Sequence, residues 1–391
     1  MRRVLGLLLV VTIAITSSGY VPSALAAPPG ISTSAEAAAL VDVTSGRLLY
    51  SAKGDKPMRI ASLTKIMTAI VAIEHGKLSD MAKVGKNAFG KEGSSIYLKL
   101  NEEMNLKDLL YGLMLRSGND AAMTIAEHVG GSVEGFAHLM NEKARMIGMT
   151  NSSFKNPSGL DEEGHYSTAN DMAKLTAYAL RNPVFREIVK TKVKKAPNPG
   201  ESWDYTWTNK NKMLSLYDGA DGVKTGYTKL AKRCLVSSAT RGGQQIAVVT
   251  LNDPNDWIDH TRLLDYGFQH YPLQTLIGAG EAVDGTGFVA GTGLSYPATE
   301  EEAGKFIRET VLNDPASTDS RLGVAGRLDF KLNGRAVGSV PLVAPDSPRL
   351  SARSGKSFAL AVEGRAGWKQ SDKWLYILQS LTRVMFTGKT E

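Results

Sequence analysis

Apolar positions recur at helical or strand spacing along most of the chain, and the places where that rhythm breaks are the informative ones. From Ala61 to His75 apolar side chains stand at Ile66, Met67, Ala69, Ile70, Ala72 and Ile73, and the pattern stops at Gly76, which predicts a mostly buried helix with Ser62 in its first turn. Leu106 to His128 has the same period, but Arg116-Ser117-Gly118-Asn119-Asp120 interrupts it between two apolar runs. Polar groups wedged there are costly unless they face a cavity, so the break reads as a site. Further helices are predicted over Val133 to Met146, Thr168 to Leu180 and Trp257 to Phe268. Ala37 to Tyr50 reads instead as two strands around Thr44-Ser45-Gly46. Between Gly219 and Asp253 the period is again that of strands: Val223 to Thr228, Cys234 to Thr240, a Gly242-Gly243 turn, and Gln245 to Leu251. Strands early and late with helices between them imply an α+β domain whose antiparallel sheet is assembled from both ends of the segment, here taken as 31–272.

The two ends of the chain have other characters. Met1-Arg2-Arg3, the apolar Val4 to Ile15 and Ser23-Ala24-Leu25-Ala26-Ala27 have the layout of a secretory signal peptide over 1–26, so export is expected. From about Tyr271 the composition shifts to Gly, Val, Thr and Ala, with Asn333-Gly334 between two strand-like pieces, a strong hairpin signal. A small all-β, sandwich-like domain is expected over 273–366. Within the final stretch, 367–391, Trp374, Ile377, Leu378, Leu381, Val384 and Met385 share one helical face. That helix is too polar to span a bilayer but can lie in a membrane surface; docking on protein is the alternative.

With 391 residues, 42% hydrophobic and 22% charged, the chain suits a globular protein of more than one domain. The formal charge of +7 includes Arg2 and Arg3 of the expected signal, and the remaining basic excess suits an anionic envelope or is ordinary solubility charge. Nucleic-acid binding finds no support, since basic blocks interleaved with aromatics are missing. The one cysteine, Cys234, excludes an intrachain disulfide and reads as a small buried side chain. The six histidines form no metal-ligand spacing, His128, His138 and His165 read as structural or surface residues, and no metal or cofactor is called for.

Three short motifs carry candidate chemistry. In Ser62-Leu63-Thr64-Lys65 a hydroxyl and an amine lie three residues apart, so on a helix they share a face. A desolvated Lys65 could take the Ser62 proton, because burial lowers an amine's pKa. Ser117 and Asn119 add a hydroxyl able to relay a proton and an amide able to hold a substrate carbonyl. Lys224-Thr225-Gly226 on a strand can present a cation and a hydroxyl to a carboxylate, with Gly226 allowing close approach. The backbone N–H groups of Ser62 and Tyr227 are candidate oxyanion donors. Each motif alone has a bland reading as a cap, a turn or a surface lysine; all three in this order do not.

In this order the motifs resemble those of the low-molecular-mass penicillin-binding proteins, specifically the serine-type D-alanyl-D-alanine carboxypeptidases. The likeness extends to Asn156-Pro157-Ser158-Gly159-Leu160-Asp161 with His165-Tyr166-Ser167-Thr168, the trailing β-domain and the terminal helix. It implies a β-lactamase/transpeptidase-like fold and an acyl-enzyme on Ser62 that releases the terminal D-alanine of peptidoglycan stem pentapeptides. Lys65 would be the base, Ser117 and Asn119 the second element, and Lys224 with Thr225 the carboxylate clamp. β-Lactams would acylate Ser62, and the location would be the outer face of the cytoplasmic membrane. One departure stands out: where some members carry a carboxylate-binding arginine, this chain reads Asn252-Asp253-Pro254-Asn255-Asp256-Trp257. Competing readings are a D,D-endopeptidase cutting cross-links and a non-catalytic envelope-binding protein. A class A β-lactamase is disfavoured by length and by the missing Glu-x-x-Leu-Asn loop.

Overall fold

The computed structural model describes residues 28–199 and 201–351. The expected signal peptide and the amphipathic tail lie outside the described residues.

A five-stranded antiparallel sheet organises the larger part, in the order β2-β1-β9-β8-β7: β1 (Ala37–Asp42) and β2 (Leu48–Ala52) come from the start, β7 (Ala220–Thr228), β8 (Lys232–Arg241) and β9 (Gln244–Leu251) from the end. The sheet is thus closed by β1 pairing with β9, Ala39 opposite Val249. The inner strands β1 and β9 are buried along nearly their whole length because both faces are covered. Ala37, Ala39, Val41, Val236, Ala247 and Val249 face a helical core, while Ala38, Leu40, Leu235, Ile246 and Val248 face a second core that holds Leu263 and Leu264. The alternation follows from the two-residue period of a strand.

The helical core is built on α1 (Thr64–His75), in which every residue from Thr64 to Ala72 is buried. Around it lie α2 (Leu106–Tyr111), α3 (Asn119–Gly130), α4 (Val133–Met146), α5 (Ala169–Leu180) and α6 (Pro183–Lys190), while α7 (Asp256–His270) supplies Leu263 and Leu264 to the opposite face. The helix starts are chemically marked. Asn105, Ser132 and Thr168 accept from the backbone N–H three residues on, the N-cap arrangement that satisfies an otherwise orphaned donor. Thr168 is therefore the cap of α5, whose helix proper begins at Ala169.

Three local features differ from the expectation. Ala61–Leu63 is a separate 3₁₀ turn, so Ser62 precedes α1. The interruption after α2 is a π-type turn, Gly112–Arg116, ending at Ser117 in the left-handed region (φ +65°). Two short pairs were not foreseen: β3 (Met81–Lys83) with β4 (Glu103–Asn105), and β5 (Val193–Ala196) with β6 (Tyr205–Thr208). Residues of one or two turns carry too little periodicity to announce themselves.

Beyond α7, β10 (Leu273–Ile277) pairs with β13 (Leu294–Pro297). A second five-stranded sheet runs β11-β12-β16-β15-β14, from β11 (Ala282–Val283), β12 (Phe288–Ala290), β14 (Phe306–Leu312), β15 (Gly326–Leu332) and β16 (Arg335–Val343). Asn333 and Gly334 both take positive φ (+50° and +75°), the tight turn that this dipeptide signals. The chain divides into two compact units: the larger runs to Leu276 and takes in Leu294–Glu309 and Asp329–Ser339, the smaller holds Ile277–Gly293, Thr310–Leu328 and the residues from Val340.

Candidate active site

Ser62 and Lys65 come together as the spacing requires. Lys65 Nζ lies 3.1 Å from Ser62 Oγ, 2.7 Å from Asn119 Oδ1 and 2.6 Å from the Ser158 carbonyl oxygen. The lysine is fully buried, while Ser62 is half-exposed. Burial, and behind it the cations of Lys224 and Lys210, push the Lys65 amine well below its ordinary range; Asp120 opposes them.

Asn119 belongs to the polar interruption read from the sequence. Its Nδ2 donates to Glu92 O at 2.7 Å and its backbone N–H to Ser94 O at 2.7 Å, so the amide is fixed from both sides. The neighbouring Asp120, also buried, accepts from Ser95 Oγ (2.6 Å) and from the backbone N–H of Ile96, Leu98 and Ala121. A carboxylate so well supplied holds the 95–98 segment against the start of α3. Ser117 sits buried two residues before Asn119.

The third motif lies on β7, the edge strand. Lys224 is buried, its Nζ donating to Thr225 O at 2.7 Å, and burial together with the Lys210 cation lowers its pKa to about 7. Thr225 and Gly226 are half-exposed. A Cβ at Gly226 would come within 3.2 Å of the Ser62 nitrogen and 3.3 Å of Ile60 O. Glycine there lets β7 press against the nucleophile's own backbone, and Tyr227 is the next residue along that strand. The three motifs, spread over more than 160 residues of sequence, converge on one place.

A D-alanyl-D-alanine carboxypeptidase family profile matches residues 23–255. The chain belongs to this family. It is 38% identical over 293 residues to the D-alanyl-D-alanine carboxypeptidase DacF of Bacillus subtilis, covering 71% of this chain and 73% of that one. To DacC of Escherichia coli, of the same description, it is 33% identical over 371 residues, covering 83% and 87%. Among solved structures, penicillin binding protein 5 from Haemophilus influenzae superposes with a TM-score of 0.65 at 27% identity, covering 81% of this chain and 98% of that one. The carboxypeptidase fold read from the sequence is thereby established, and with it a serine-type peptidase.

Two parts of this carboxypeptidase's site were not legible beforehand. Lys210 is exposed, donates from Nζ to Ser94 Oγ at 3.1 Å and from its backbone to Leu115 O at 3.1 Å, and its charge acts on both Lys65 and Lys224. Only its flanking asparagines hint at a constrained turn: Asn209 Nδ2 donates to Thr191 O, and Asn209 Oδ1 accepts from Asn211 N. The second is the 154–168 loop, whose sequence does not name its neighbours. Thr68 Oγ1 donates to Pro157 O (2.6 Å), Lys65 to Ser158 O, and a Cβ on Gly159 (φ +79°) would overlap Ala61 O at 1.8 Å. His165 is buried, the structural one of its two expected roles. Its Nδ1 accepts from Lys155 N (3.1 Å), so Nε2 carries the proton and donates to Thr64 Oγ1 (2.9 Å), which donates to Ala61 O (2.9 Å). Ala61, at φ +46°, is the residue before Ser62.

The stretch without the expected arginine is explained locally. Asp256 is paired with Arg233 of β8, and Asp253 is buried with Oδ2 unpartnered among the described residues, burial raising its pKa to about 6. Cys234 is buried and burial pushes its thiol up to about 12, in keeping with a packing role.

Proposed function

We propose that this carboxypeptidase acts on peptidoglycan stem pentapeptides outside the cytoplasmic membrane, with Ser62 as nucleophile and Lys65 as its base. The observation that carries the assignment is the set of partners around Lys65 Nζ. A neutral amine has two N–H groups and one lone pair. The two shortest contacts, Asn119 Oδ1 and Ser158 O, can only accept, so they use both N–H groups. The lone pair is left for the Ser62 hydroxyl at 3.1 Å, which then donates to it. Burial favours that neutral state, and general-base attack needs it.

In this reading the Ser62 proton passes to Lys65 while Oγ attacks the penultimate D-alanine carbonyl. The oxyanion takes the backbone N–H groups of Ser62 and Tyr227. Ser117 relays the proton from Lys65 to the departing D-alanine amine, so both side chains return to their starting states, and Asn119 helps to align the peptide. Water then releases the shortened peptide from Ser62. The terminal carboxylate is met by Thr225 and by the charges of Lys224 and Lys210. A carboxylate arriving beside Lys224 favours its charged form, reversing part of the effect of burial. Lys210 supplies the cation that the 252–257 stretch does not. β-Lactams acylate the same Ser62, and the segment 367–391 holds the enzyme on the membrane surface.

Ser62→Ala is the test. Mass spectrometry of a soluble pentapeptide ending in D-alanyl-D-alanine shows loss of one alanine with the unaltered protein and none with the variant. D-Alanine release that survives the substitution overturns the nucleophile assignment. A protein lacking 368–391 keeps its activity on soluble peptide and no longer sediments with vesicles; continued sedimentation sinks the anchor.

A further inference from the structure

We infer that the groove between residues 95–99 and the β5–β6 hairpin is a saccharide subsite, taking the amino-sugar strand of the wall polymer whose peptide reaches Ser62. The inference rests on the function proposed above. The groove encloses about 470 Å³ and is lined by Tyr97, Arg116, Asn198, Trp203 and Trp207 among others.

Three features there are costs that the fold does not explain. Trp203 is 59% exposed, although an indole gains most from burial. Tyr97 is 82% exposed and held at φ +64°, a strained region for a bulky residue. Asn198 is buried, at 7% exposure, yet its Oδ1 has no hydrogen-bond partner among the described residues. A buried acceptor left empty is unfavourable unless something fills it. All three border one groove.

The surroundings are tied together by ring contacts and hydrogen bonds and joined to the reaction centre. Trp203 stands edge-on to Tyr205 (6.3 Å), which stacks on Trp207 (5.5 Å), and the Tyr205 hydroxyl is tied to Glu102. The other wall, 95–98, is the segment held by Asp120 beside Asn119. Arg116 precedes Ser117 and donates to Thr208 O at 3.2 Å. A ligand in the groove therefore lies alongside the second catalytic element.

The chemistry selects a sugar. Flat exposed rings match the C–H face of a pyranose. Arg116 suits a carbonyl or carboxylate oxygen where peptide joins sugar. A lipid or an apolar peptide fits poorly, since the Lys99–Glu201 ion pair and Thr206 also border the groove.

The test uses the chain with Trp203→Ala and, separately, Tyr97→Gly, which removes the ring and relieves the backbone. Titration with the N-acetylglucosamine tetramer, followed by indole fluorescence and NMR, shows saturable binding to the unaltered protein that either variant weakens about three- to tenfold. With a disaccharide-linked pentapeptide both variants raise KM by a similar factor at constant kcat, while turnover of free pentapeptide is unchanged. Tyr97→Gly also raises Tm. No binding of the tetramer, or binding indifferent to both substitutions, overturns the subsite. Failure to cleave either pentapeptide speaks against the proposed function instead, and the tetramer titration still decides the groove.

Discussion

At the scale of single residues the protonation of Lys65 is set from two directions. Desolvation acts whatever else is present, and the cations of Lys224 and Lys210 add to it. Removing a nearby positive charge makes the charged form of Lys65 less unfavourable, so its pKa rises. The acid limb of acylation by penicillin, where Lys65 must lose its proton, therefore moves to higher pH in Lys210→Ala and stays in place in Lys210→Arg. Stopped-flow acylation rates across pH read the position of the limb; its height also reflects loss of carboxylate binding. An unmoved limb in the alanine variant would remove Lys210 from the electrostatics of the site. Ser62 and Lys65 could be read as a pair because three residues along a helical path is a local relation. Lys210 could not, because its influence is Coulombic across the fold and nothing in Asn209-Lys210-Asn211 names its neighbours.

At the scale of elements, α1 carries the nucleophile's base but does not by itself place the nucleophile. Ser62 sits on the 3₁₀ turn before it, behind a left-handed Ala61, and the 154–168 loop holds that turn through Gly159, Thr64 and His165. The His165 link exists only while the imidazole is neutral, since protonated Nδ1 cannot accept from Lys155 N. Burial lowers this pKa to about 4, against about 6.5 for an unfolded histidine. As pH falls from 6.5 towards 4 the unfolded chain takes up this proton and the folded one does not, so stability is lost across that window. His165→Gln keeps a neutral donor and acceptor without the titration. The stability difference between the two proteins, from urea unfolding, should shrink in favour of the glutamine variant as pH falls from 6.5 to 4; a difference independent of pH would refute the link. Thr64→Val leaves Nε2–H buried without an acceptor and should cost about 1–3 kcal/mol. The long apolar helices and the 220–251 strands were legible because burial on one or two faces writes a repeating pattern. The β5–β6 hairpin was not: Tyr205 and Trp207 face inward over only four residues, and Pro183–Lys190 is two turns long.

At the scale of the whole molecule, chemistry and packing have the same boundary. Every residue assigned to the reaction lies between Ser62 and Tyr227, and the buried members of both cores flanking the first sheet end at Leu264, with Tyr271 packed at the margin. On the strands of the second sheet Val289, Leu328, Phe330, Val340 and Leu342 are each buried and belong to neither of those cores. The sequence marked this change as a shift in composition near Tyr271, but it could not show that Leu294–Glu309 and Asp329–Ser339 group with the larger unit, since such grouping is a tertiary property. A chain of residues 28–272 keeps both cores and the whole site while losing those two segments and β10. It should therefore be acylated by penicillin at a rate within about twofold of the longer protein, because no group that shifts Lys65 or Lys224 is removed. Its unfolding temperature should be lower, since area buried by the lost segments no longer contributes. Thermal unfolding beside acylation kinetics separates the two effects. A shortened chain that is as stable as the original but slow to acylate would place part of the catalytic arrangement beyond residue 272, contrary to the geometry around Ser62.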